Sequence, residues 1–387
     1  MAGIVAHRSE AVSIRSRSGV SGRSGRQGVV HPAWYSVTPV EKVASVHHHR
    51  PVQLCNRRHP LLGVWAAALT LSTGVVAEPP AMPIVIAHRG SSGYLPEHTL
   101  AAKTLAVAQG ADFVEQDVVM TKDGVPVVLH DTTLDGVSDV AARFPGRARG
   151  DGKHHVTDFT LSELRSLSLS ERIDPATGRQ TFPDRFPTGA SRFGIVTLEE
   201  ELDLLAGLAR TTGRRVGIYP EIKSPAWHRA EGHDVSAAVV ALLHRRGYRH
   251  RDDPCVIQCF DADEVNRLRR DLGWAGRLVQ LVESPEQDDL LTPEGLARVA
   301  AVADGIGPSV GRVVDADGLP TDLVARAHAA GLVVHCWTLR RDRLPDWASS
   351  FDALQDRVLA TGVDGVFSDF PDLTIARIRG RDAAVDR

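Results

Sequence analysis

The chain has 387 residues, of which 43% are hydrophobic and 24% are charged, as in an ordinary soluble enzyme. Its net charge of −3 is unevenly distributed: residues 1–77 carry nine Lys/Arg against two Asp/Glu (+7), and the remainder carries 36 against 46 (−10). An acidic body lacks the basic footprint that nucleic-acid binding requires, and it is compatible with a bound cation. The length fits two or three average domains, or one α/β barrel of roughly 250 residues with an insertion.

Residues 1–55 form the first segment. It is rich in Ser, Gly, Arg and His and shows no apolar period, which predicts a disordered N-terminal extension that is not part of the native protein. Its glycines follow no predicted strand and precede no Gly-Lys-Ser/Thr, so they do not form a phosphate loop. The run His47–His49 could bind a metal, but we interpret it as part of the disordered tract.

Residues 56–77 resemble a secretory signal. Arg57 and Arg58 precede an uncharged run of 17 residues that ends at Ala77. A membrane anchor is the competing interpretation, although the run is short for a span of about 20 residues. Because more than 50 residues precede the signal, one hypothesis is that translation begins near Val52, from a GUG codon. We therefore expect an exported protein, periplasmic or secreted, without stable membrane insertion after signal removal.

The segment from 84 to 131 contains three apolar runs that end in titratable groups. IVIA leads to His88 and Arg89, and PVVLHD ends at His130. Between them, DFVEQDVV carries Glu115 and Asp117 two residues apart, and therefore on one face of a strand. Buried strands that end in such groups are typical of an α/β active site.

The sequence also predicts how these runs are connected. Thr99 is placed to cap a helix that ends at Gly110, a favourable residue after a helix. The tight turn at 121–124 is too short for a parallel crossover, so the second and third runs are predicted to pair as an antiparallel hairpin. In that register Asp117 and His130 would lie roughly opposite each other.

Residues from about 131 to 192 are rich in turn signals and contain one short helix that begins at Thr160. Loops this long inside a compact domain are usually lids or inserted modules. We predict an insertion after the third strand that caps the site. Its histidine pair, His154 and His155, is interpreted as solvated rather than catalytic.

Regular alternation returns at Thr197, which forms a predicted capping box with Glu200. The strands that follow alternate with helices, and their number predicts a TIM-type (β/α)8 barrel within residues 78–387. Cys255, Cys259 and Cys336 fall on apolar strands and are expected to be buried thiols without a disulfide.

The ordered motifs identify a family. HRG after the first strand, ExD on the second and HD after the third resemble the signatures of the glycerophosphodiester phosphodiesterases, and the likeness to the periplasmic bacterial branch is close. The likeness runs from about residue 84 to 372 and includes YPEIK (219–223), QCFDADE (258–264), ADGIGP (303–308) and FSDFPD (367–372). It implies a phospholipase-C-like phosphodiesterase barrel.

The resemblance implies that His88 and His130 are the general acid–base pair, without showing which is which. Imidazole titrates near neutrality, so two histidines can deprotonate a nucleophile and protonate a leaving alkoxide. Arg89 would neutralise charge on the phosphoryl oxygens.

The carboxylates Glu115, Asp117 and Glu221 are expected to hold a hard cation, because side by side without one they would repel. The resemblance favours Ca²⁺, with Mg²⁺ possible. The alternative for Glu221 is a plain ion pair with Lys223, two residues away on the same face.

The predicted substrate contacts include, besides Arg89, five further residues: Lys223, Glu97, His98, Phe260 and Trp337. Glu97 is expected to orient Arg89 or a histidine, with metal contact possible, and His98 is a pocket variation where many relatives have Asn. Phe260 and Trp337 either wall a glycerol pocket or belong to an aromatic core. Asp369 supports a neighbouring group or caps a helix.

These expectations combine into a metal-assisted hydrolase that converts glycerophosphodiesters, such as glycerophosphocholine, to glycerol 3-phosphate and an alcohol. One alternative is a phospholipase D or lysophospholipase D, which would need an apolar surface for the bilayer. Another is a protein that binds phosphodiesters without turnover. A homodimer is an option for the assembly.

Overall fold

The apolar runs form nine strands in the computed structural model, which describes residues 82–385. The strands are Ile84–Ala87 (β1), Phe113–Met120 (β2), Pro126–Val128 (β3), Gly217–Ile222 (β4), Val256–Cys259 (β5), Arg277–Val282 (β6), Gly305–Pro308 (β7), Val333–Leu339 (β8) and Gly365–Ser368 (β9). Eight of them run parallel in the cyclic order β1-β2-β4-β5-β6-β7-β8-β9, and β9 pairs with β1 to close a barrel. The predicted TIM-type barrel is confirmed.

Helices alternate with the strands. They are Leu100–Gln109 (α1), Val140–Arg143 (α2), Leu161–Leu164 (α3), Leu198–Thr212 (α4), Pro225–Ala230 (α5), Val235–Arg245 (α6), Ala262–Arg270 (α7), Pro293–Ala300 (α8), Val310–Val313 (α9), Leu323–Ala329 (α10), Phe351–Leu359 (α11) and Pro371–Val385 (α12), with 3₁₀ turns at Val156–Asp158 and Pro285–Leu291. No helix within residues 82–385 has both the length and the apolar content that a membrane span requires. The extension and signal segment predicted for residues 1–77 lie outside the described part of the chain.

The predicted helix caps are present. The side chain of Thr99 accepts a hydrogen bond from the backbone N–H of Ala102, and α1 ends at Gly110 in the left-handed conformation (φ 96°). Thr197 and Glu200 form the reciprocal capping box that begins α4. These caps satisfy backbone groups that a helix end would otherwise leave unpaired.

The β2–β3 hairpin is antiparallel, as predicted, but its register differs by one residue from the expectation. Val118 pairs with Val128, and the N–H of Leu129 donates to the carbonyl oxygen of Asp117 at 3.0 Å. Asp117 therefore lies opposite Leu129, and His130 follows beyond the strand. Because neighbouring residues of a strand point to opposite faces, His130 reaches the site from the loop and not from the ladder.

The barrel interior is filled by a separate apolar cluster. Its fully or nearly buried members are Ile86, Phe113, Tyr219, Val256, Val279 and Phe367. The hydroxyl of Tyr219 lies 2.7 Å from Nδ1 of His335, so the phenol is hydrogen-bonded although it is completely buried. This apolar layer lies directly below the polar residues of the barrel mouth and supports them, as is usual in barrels of this type.

The segment 131–192 covers one side of the barrel mouth and has a small core of its own. Leu134, Phe159 and Leu164 are fully buried and pack with Val119 and Val127 of the hairpin. Few regular elements occur here, since only α2, α3 and one 3₁₀ turn lie within it. The insertion is therefore anchored through the hairpin that carries His130.

The interpretation of both insertion histidines as solvated was wrong for His154. Its side chain is buried, and its Nδ1 lies 2.7 Å from Asp135 Oδ1. His155 is partly covered and stacks on the ring of Trp227. Both histidines lie within the insertion and contribute to its packing.

A substitution at Gly90 tests whether the tight turn after β1 requires glycine. Its φ is +87°, and an added Cβ would lie 2.8 Å from the carbonyl carbon of Ala102. We expect Gly90→Ala to lower the free energy of unfolding by about 1–3 kcal/mol, measured by urea denaturation, because both strain and backbone overlap oppose it.

The matched control is Gly207→Ala. Gly207 is exposed within α4, and an added Cβ would meet no atom within 4 Å. Alanine at that site should stabilise the protein by about 0.5–1 kcal/mol. Equal effects of the two substitutions would contradict the role given to Gly90.

Candidate active site

His88 follows β1 and is held by Asp369, which follows β9. The pairing of Ala87 with Ser368 places the two residues side by side, and His88 Nδ1 lies 2.6 Å from Asp369 Oδ1. Burial and the nearby Arg89 cation lower the pKa of His88 to about 4, while Asp369 works in the opposite direction. At neutral pH His88 is therefore neutral, with the proton on Nδ1 and a free acceptor at Nε2.

Asp369 is itself fixed by two arginines. Its Oδ2 accepts hydrogen bonds from Arg185 Nη2 at 2.6 Å and from Arg340 Nε at 3.0 Å. Burial alone would raise the pKa of Asp369, but Arg340, His88 and Arg185 together hold it far below its usual value. The carboxylate therefore remains charged and keeps the His88 ring in one orientation.

Arg89 occupies a strained backbone conformation between the two sides of the site. Its φ is +58°, a region that is costly for a residue with a side chain. The backbone N–H of Arg89 donates to Glu115 Oε2 at 2.6 Å, and its Nη1 donates to Glu97 Oε2 at 2.8 Å. Its Nε lies 3.5 Å from Asp117 Oδ2. Glu97 thus orients Arg89, as the sequence suggested.

His130 lines the same cavity from the hairpin side. Its Nδ1 lies 2.5 Å from Asp131 Oδ1, and Asp131 Oδ2 accepts from Arg172 Nη1 at 2.6 Å. Burial, together with the cations Arg89 and Lys223, lowers the pKa of His130. Both histidines are therefore oriented by a carboxylate that an arginine holds in turn.

Three carboxylates lie together, two within β2 and one near the end of β4. The parallel register pairs Asp117 with Glu221, and Glu115 lies two residues before Asp117 on the same face. Burial, and then Asp117, raise the pKa of Glu115 well above its usual value, and burial raises the pKa of Glu221 to about 7 in spite of Lys223. Burial would also raise the pKa of Asp117, but Lys223 and His130 hold it well below its usual value.

The cluster fits a divalent cation. Asp117 Oδ1 is buried without a hydrogen-bond partner, and Lys223 Nζ lies 3.6 Å away from it. Single ligand atoms of His98, Glu115 and Asp117 lie within 4.8 Å of one another. The alternative ion pair between Glu221 and Lys223 is also present, at 2.7 Å. An ammonium group thus supplies positive charge where carboxylates alone would repel one another.

His98 requires a correction. It was predicted to contact substrate, but its side chain is 1% exposed and lines neither of the two cavities at the barrel mouth. Instead its Nε2 lies 2.7 Å from Asp117 Oδ2. His98 has a positive φ of 61°, which turns the ring beneath Asp117 and away from the open site.

The larger cavity, cavity 1, has a volume of about 360 Å³ and contains both predicted histidines, Arg89, Lys223 and the three carboxylates. Phe260 and Trp337 also line it, with ring centroids 5.7 Å apart in an edge-to-face arrangement. The two aromatic residues are therefore walls of the cavity and not buried core.

A smaller cavity, cavity 2, adjoins it with a volume of about 220 Å³. The two cavities share His88, Arg89, His130 and Arg340. Glu97 lines cavity 2, and most of its other wall residues come from the insertion and the loop after β8.

The sequence analysis missed several residues that hold the site residues in place. Arg172 and Arg185 lie in turn-rich insertion sequence that gives no periodic signal, whereas Arg340 follows β8 and was detectable by its position at a strand end. Lys103 looks like an ordinary helix residue, yet it is fully buried and its Nζ donates to the carbonyl oxygen of Glu115. Its charge is balanced by Glu201, whose Oε1 lies 3.2 Å away.

Glu171 lies beside these arginines within the insertion. It is 3% exposed, and its Oε2 has no hydrogen-bond partner. Burial raises the pKa of Glu171 to about 7, with Arg185 acting against this shift and Glu97 adding to it. It is therefore a buried carboxyl group that costs stability when it ionises.

Comparison with known proteins gives a consistent result. The model of the glycerophosphoryl diester phosphodiesterase family matches residues 88–373. The chain is 40% identical to a glycerophosphodiester phosphodiesterase of Haemophilus influenzae over 77% of its length and 90% of that protein. It is 36% identical to one of Treponema pallidum, covering 81% and 94%. A crystal structure of a candidate glycerophosphoryl diester phosphodiesterase from Silicibacter pomeroyi aligns with a TM-score of 0.59 and 28% identity, covering 78% and 95%.

Glu171 generates a pH prediction. The usual pKa of a glutamate is 4.5 and that of buried Glu171 is about 7, so the folded state binds the proton more tightly. The protonated form contributes stability below about pH 4.5, and that contribution is lost as the pH rises through 7. The substitution Glu171→Gln changes the free energy of unfolding. We expect this change to be about 1–2 kcal/mol more favourable at pH 8 than at pH 4.5, because glutamine does not ionise.

The measurement is urea denaturation across this pH range. Glu294→Gln is the control, because Glu294 is exposed on α8. A Glu171→Gln effect that does not vary with pH would show that the carboxyl group does not ionise in the folded protein as described.

Proposed function

Because this chain belongs to the glycerophosphoryl diester phosphodiesterase family and hydrolyses glycerophosphodiesters, we propose that His88 and His130 divide the proton transfers of that reaction. One imidazole removes the proton of the attacking hydroxyl as the new P–O bond forms. The other must carry a proton on Nε2 before the reaction; the anionic phosphate beside it favours this imidazolium form, which gives the proton to the oxygen of the departing alcohol as the old P–O bond breaks. Glycerol 3-phosphate and the head-group alcohol are the products.

One observation carries this proposal. His88 and His130 line one cavity with Arg89, and each has its Nδ1 on a carboxylate, Asp369 or Asp131. A carboxylate on Nδ1 fixes the tautomer and directs Nε2 toward the reacting group. The arrangement therefore prepares two independent proton-transfer groups beside one phosphate position.

Arg89 and Lys223 would stabilise the charge that develops on the phosphoryl oxygens. Both line cavity 1, and both are held by carboxylates that leave part of each cation available. Fixed cations in a site of low water content stabilise a transition state more than they would in bulk water. Phe260 and Trp337 would flank the glycerol moiety, whose carbon atoms suit an aromatic wall.

The family is metal-dependent, and we propose Glu115, Asp117 and Glu221 as the residues that hold Ca²⁺ in this chain. Oxygen ligands favour a hard cation, and the flexible coordination of calcium tolerates a mixed carboxylate set. A bound cation would polarise the phosphoryl oxygens and lower the pKa of a coordinated hydroxyl. Lys223 would then exchange its contact with Glu221 for a contact with substrate.

Two nucleophiles are compatible with this site. Water can attack the phosphorus directly, or the neighbouring glycerol hydroxyl can attack first and form a cyclic phosphate that water then opens. Product labelling in heavy-oxygen water, together with trapping of the cyclic species, separates the two routes.

A lysophospholipid is a poorer substrate for this site. Most residues that line the two cavities are charged or polar, and cavity 2 contains a single apolar side chain, Phe182, so an acyl chain would gain little by entering cavity 2. Activity on glycerophosphocholine without activity on lysophosphatidylcholine supports this interpretation.

We also propose that the protein is exported and that residues 78–387 are the mature enzyme. The support is the signal-like pattern of residues 56–77. N-terminal sequencing of the native protein tests it: a mature terminus near Glu78 agrees with the proposal, and a retained signal segment contradicts it.

Metal removal gives a first prediction. Treatment with a chelator should abolish release of glycerol 3-phosphate, and Ca²⁺ should restore it more fully than Mg²⁺. Ca²⁺ should also raise the thermal unfolding temperature, because it binds the folded state alone. In Glu221→Gln both effects should require roughly ten times more Ca²⁺, since one charged ligand is lost. Glu294→Gln serves as control, and an unchanged calcium requirement in Glu221→Gln would remove Glu221 from the metal site.

Asp369 gives a second prediction. Asp369→Asn should lower kcat by about 100-fold, because the amide no longer fixes the His88 tautomer. Asp369 raises the pKa of His88, so the limb of the pH profile that reports His88 should move to lower pH. Asp372→Asn is the control, since Asp372 accepts hydrogen bonds from the hydroxyl of Tyr94 and lines neither cavity. A reduced kcat with an unshifted pH profile would indicate a merely structural role.

A further inference from the structure

The residues that line cavity 2 indicate which head group the enzyme prefers. His88, Arg89 and His130 lie in the wall that it shares with cavity 1. A phosphate held beside both histidines therefore has one substituent directed into each cavity. This step rests on the proposed function of the two histidines.

The two cavities differ in origin. Cavity 1 is built from the ends of the barrel strands and contains the carboxylate cluster, the aromatic pair and Lys223. Cavity 2 takes Arg172, Phe182 and Arg185 from the insertion. The glycerol moiety, common to every substrate, matches the barrel-built cavity, and the variable head group matches the cavity walled by the insertion.

Guanidinium groups dominate the wall of cavity 2. Five arginines line it, against the carboxylates Glu97 and Asp369: Arg89, Arg172, Arg185, Arg340 and Arg343. Both carboxylates are already engaged, Glu97 by Arg89 and Arg172, and Asp369 by Arg185, Arg340 and His88. A cationic head group would therefore find no uncommitted carboxylate among the residues that line this cavity.

Aromatic recognition of a quaternary ammonium is also blocked. A choline group is usually held against open aromatic faces. Among the residues that line cavity 2, Phe182 is the one Phe, Tyr or Trp side chain. The guanidinium carbon of Arg185 lies 3.7 Å from its ring centroid, and that of Arg343 lies 4.9 Å away. Its ring is thus already in contact with two cations that would repel a third.

Positive charge remains available to an anion. Arg343 is exposed and forms no ion pair with the carboxylates of residues 82–380, and Arg340 contacts Asp369 through Nε, which leaves its terminal nitrogens uncommitted to an ion pair. Guanidinium groups bind phosphate oxygens through charge-assisted hydrogen bonds. We infer that cavity 2 is a head-group subsite that selects glycerophosphodiesters with an anionic head group and disfavours those with a quaternary ammonium.

The test compares three substrates under identical calcium and salt concentrations. Glycerophosphocholine carries a cationic head group, glycerophosphoglycerol a neutral one, and bis(glycerophospho)glycerol an anionic one with the same glycerol linkage. We expect kcat/KM for the anionic substrate, per equivalent end, to exceed that for glycerophosphocholine about tenfold or more, with the neutral substrate between them. High ionic strength should narrow this ratio, because exposed charges are screened by salt.

Variants locate the effect. Arg343→Gln should reduce the ratio of anionic to cationic kcat/KM by about three- to tenfold. Arg341→Gln is the matched control, because Arg341 is also exposed, lies over Phe370 and lines neither cavity. It should leave the ratio unchanged.

The outcomes separate the two levels of the proposal. Release of glycerol 3-phosphate from all three substrates without a charge order, or with choline preferred, would overturn the subsite and leave the enzymatic activity in place. A charge order that Arg343→Gln does not alter would overturn the role of Arg343. Failure to hydrolyse any of the three would overturn the activity itself.

Discussion

The site depends on one electrostatic constraint: three buried carboxylates lie side by side on two hydrogen-bonded neighbouring strands, which hold them together. The register of β2 and β4 fixes Asp117 beside Glu221, and β2 places Glu115 on the same face. Such a group is stable only if positive charge is close. Lys223 provides part of it at 2.7 Å from Glu221. Asp117 Oδ1 accepts no hydrogen bond and lies 3.6 Å from Lys223 Nζ, so this carboxylate oxygen could also contact a bound cation.

The same need for compensating charge explains the role of charged residues that lie outside the carboxylate cluster. Lys103 reaches the backbone of Glu115 from the helical layer, and Glu201 in turn neutralises Lys103. On the opposite side, Arg172 links Glu97 to Asp131, so one guanidinium connects the Arg89 and His130 halves of the site. Each charged group is thus held by an opposite charge one layer further out. A buried network of this kind loses much when a single member is removed.

Much of this was predictable from residues alone. The helix caps at Thr99 and Thr197, the hairpin and the barrel follow local rules of sequence, because turn length and capping chemistry act over a few residues. Strand-end positions brought His88, Glu115 and Glu221 together correctly.

The failures have a common physical cause. His98 and His154 are buried by distant chain segments, and the local sequence pattern does not predict such burial. The turn length predicted the hairpin but not its exact register, which places Asp117 opposite Leu129 and His130 one residue further along. Arg172 and Arg185 stand in irregular backbone, so tertiary contacts alone reveal their roles.

The bond between His88 and Asp369 joins the two ends of the barrel across 281 positions of the chain. During synthesis the first strand emerges early, and its partner emerges only when almost the whole domain has been made. A nascent or truncated chain that stops before β9 can hold neither the carboxylate nor the closing strand. The site around His88 is therefore complete only when the last strand docks, so a partly synthesised chain lacks both the Asp369 support and the closed barrel.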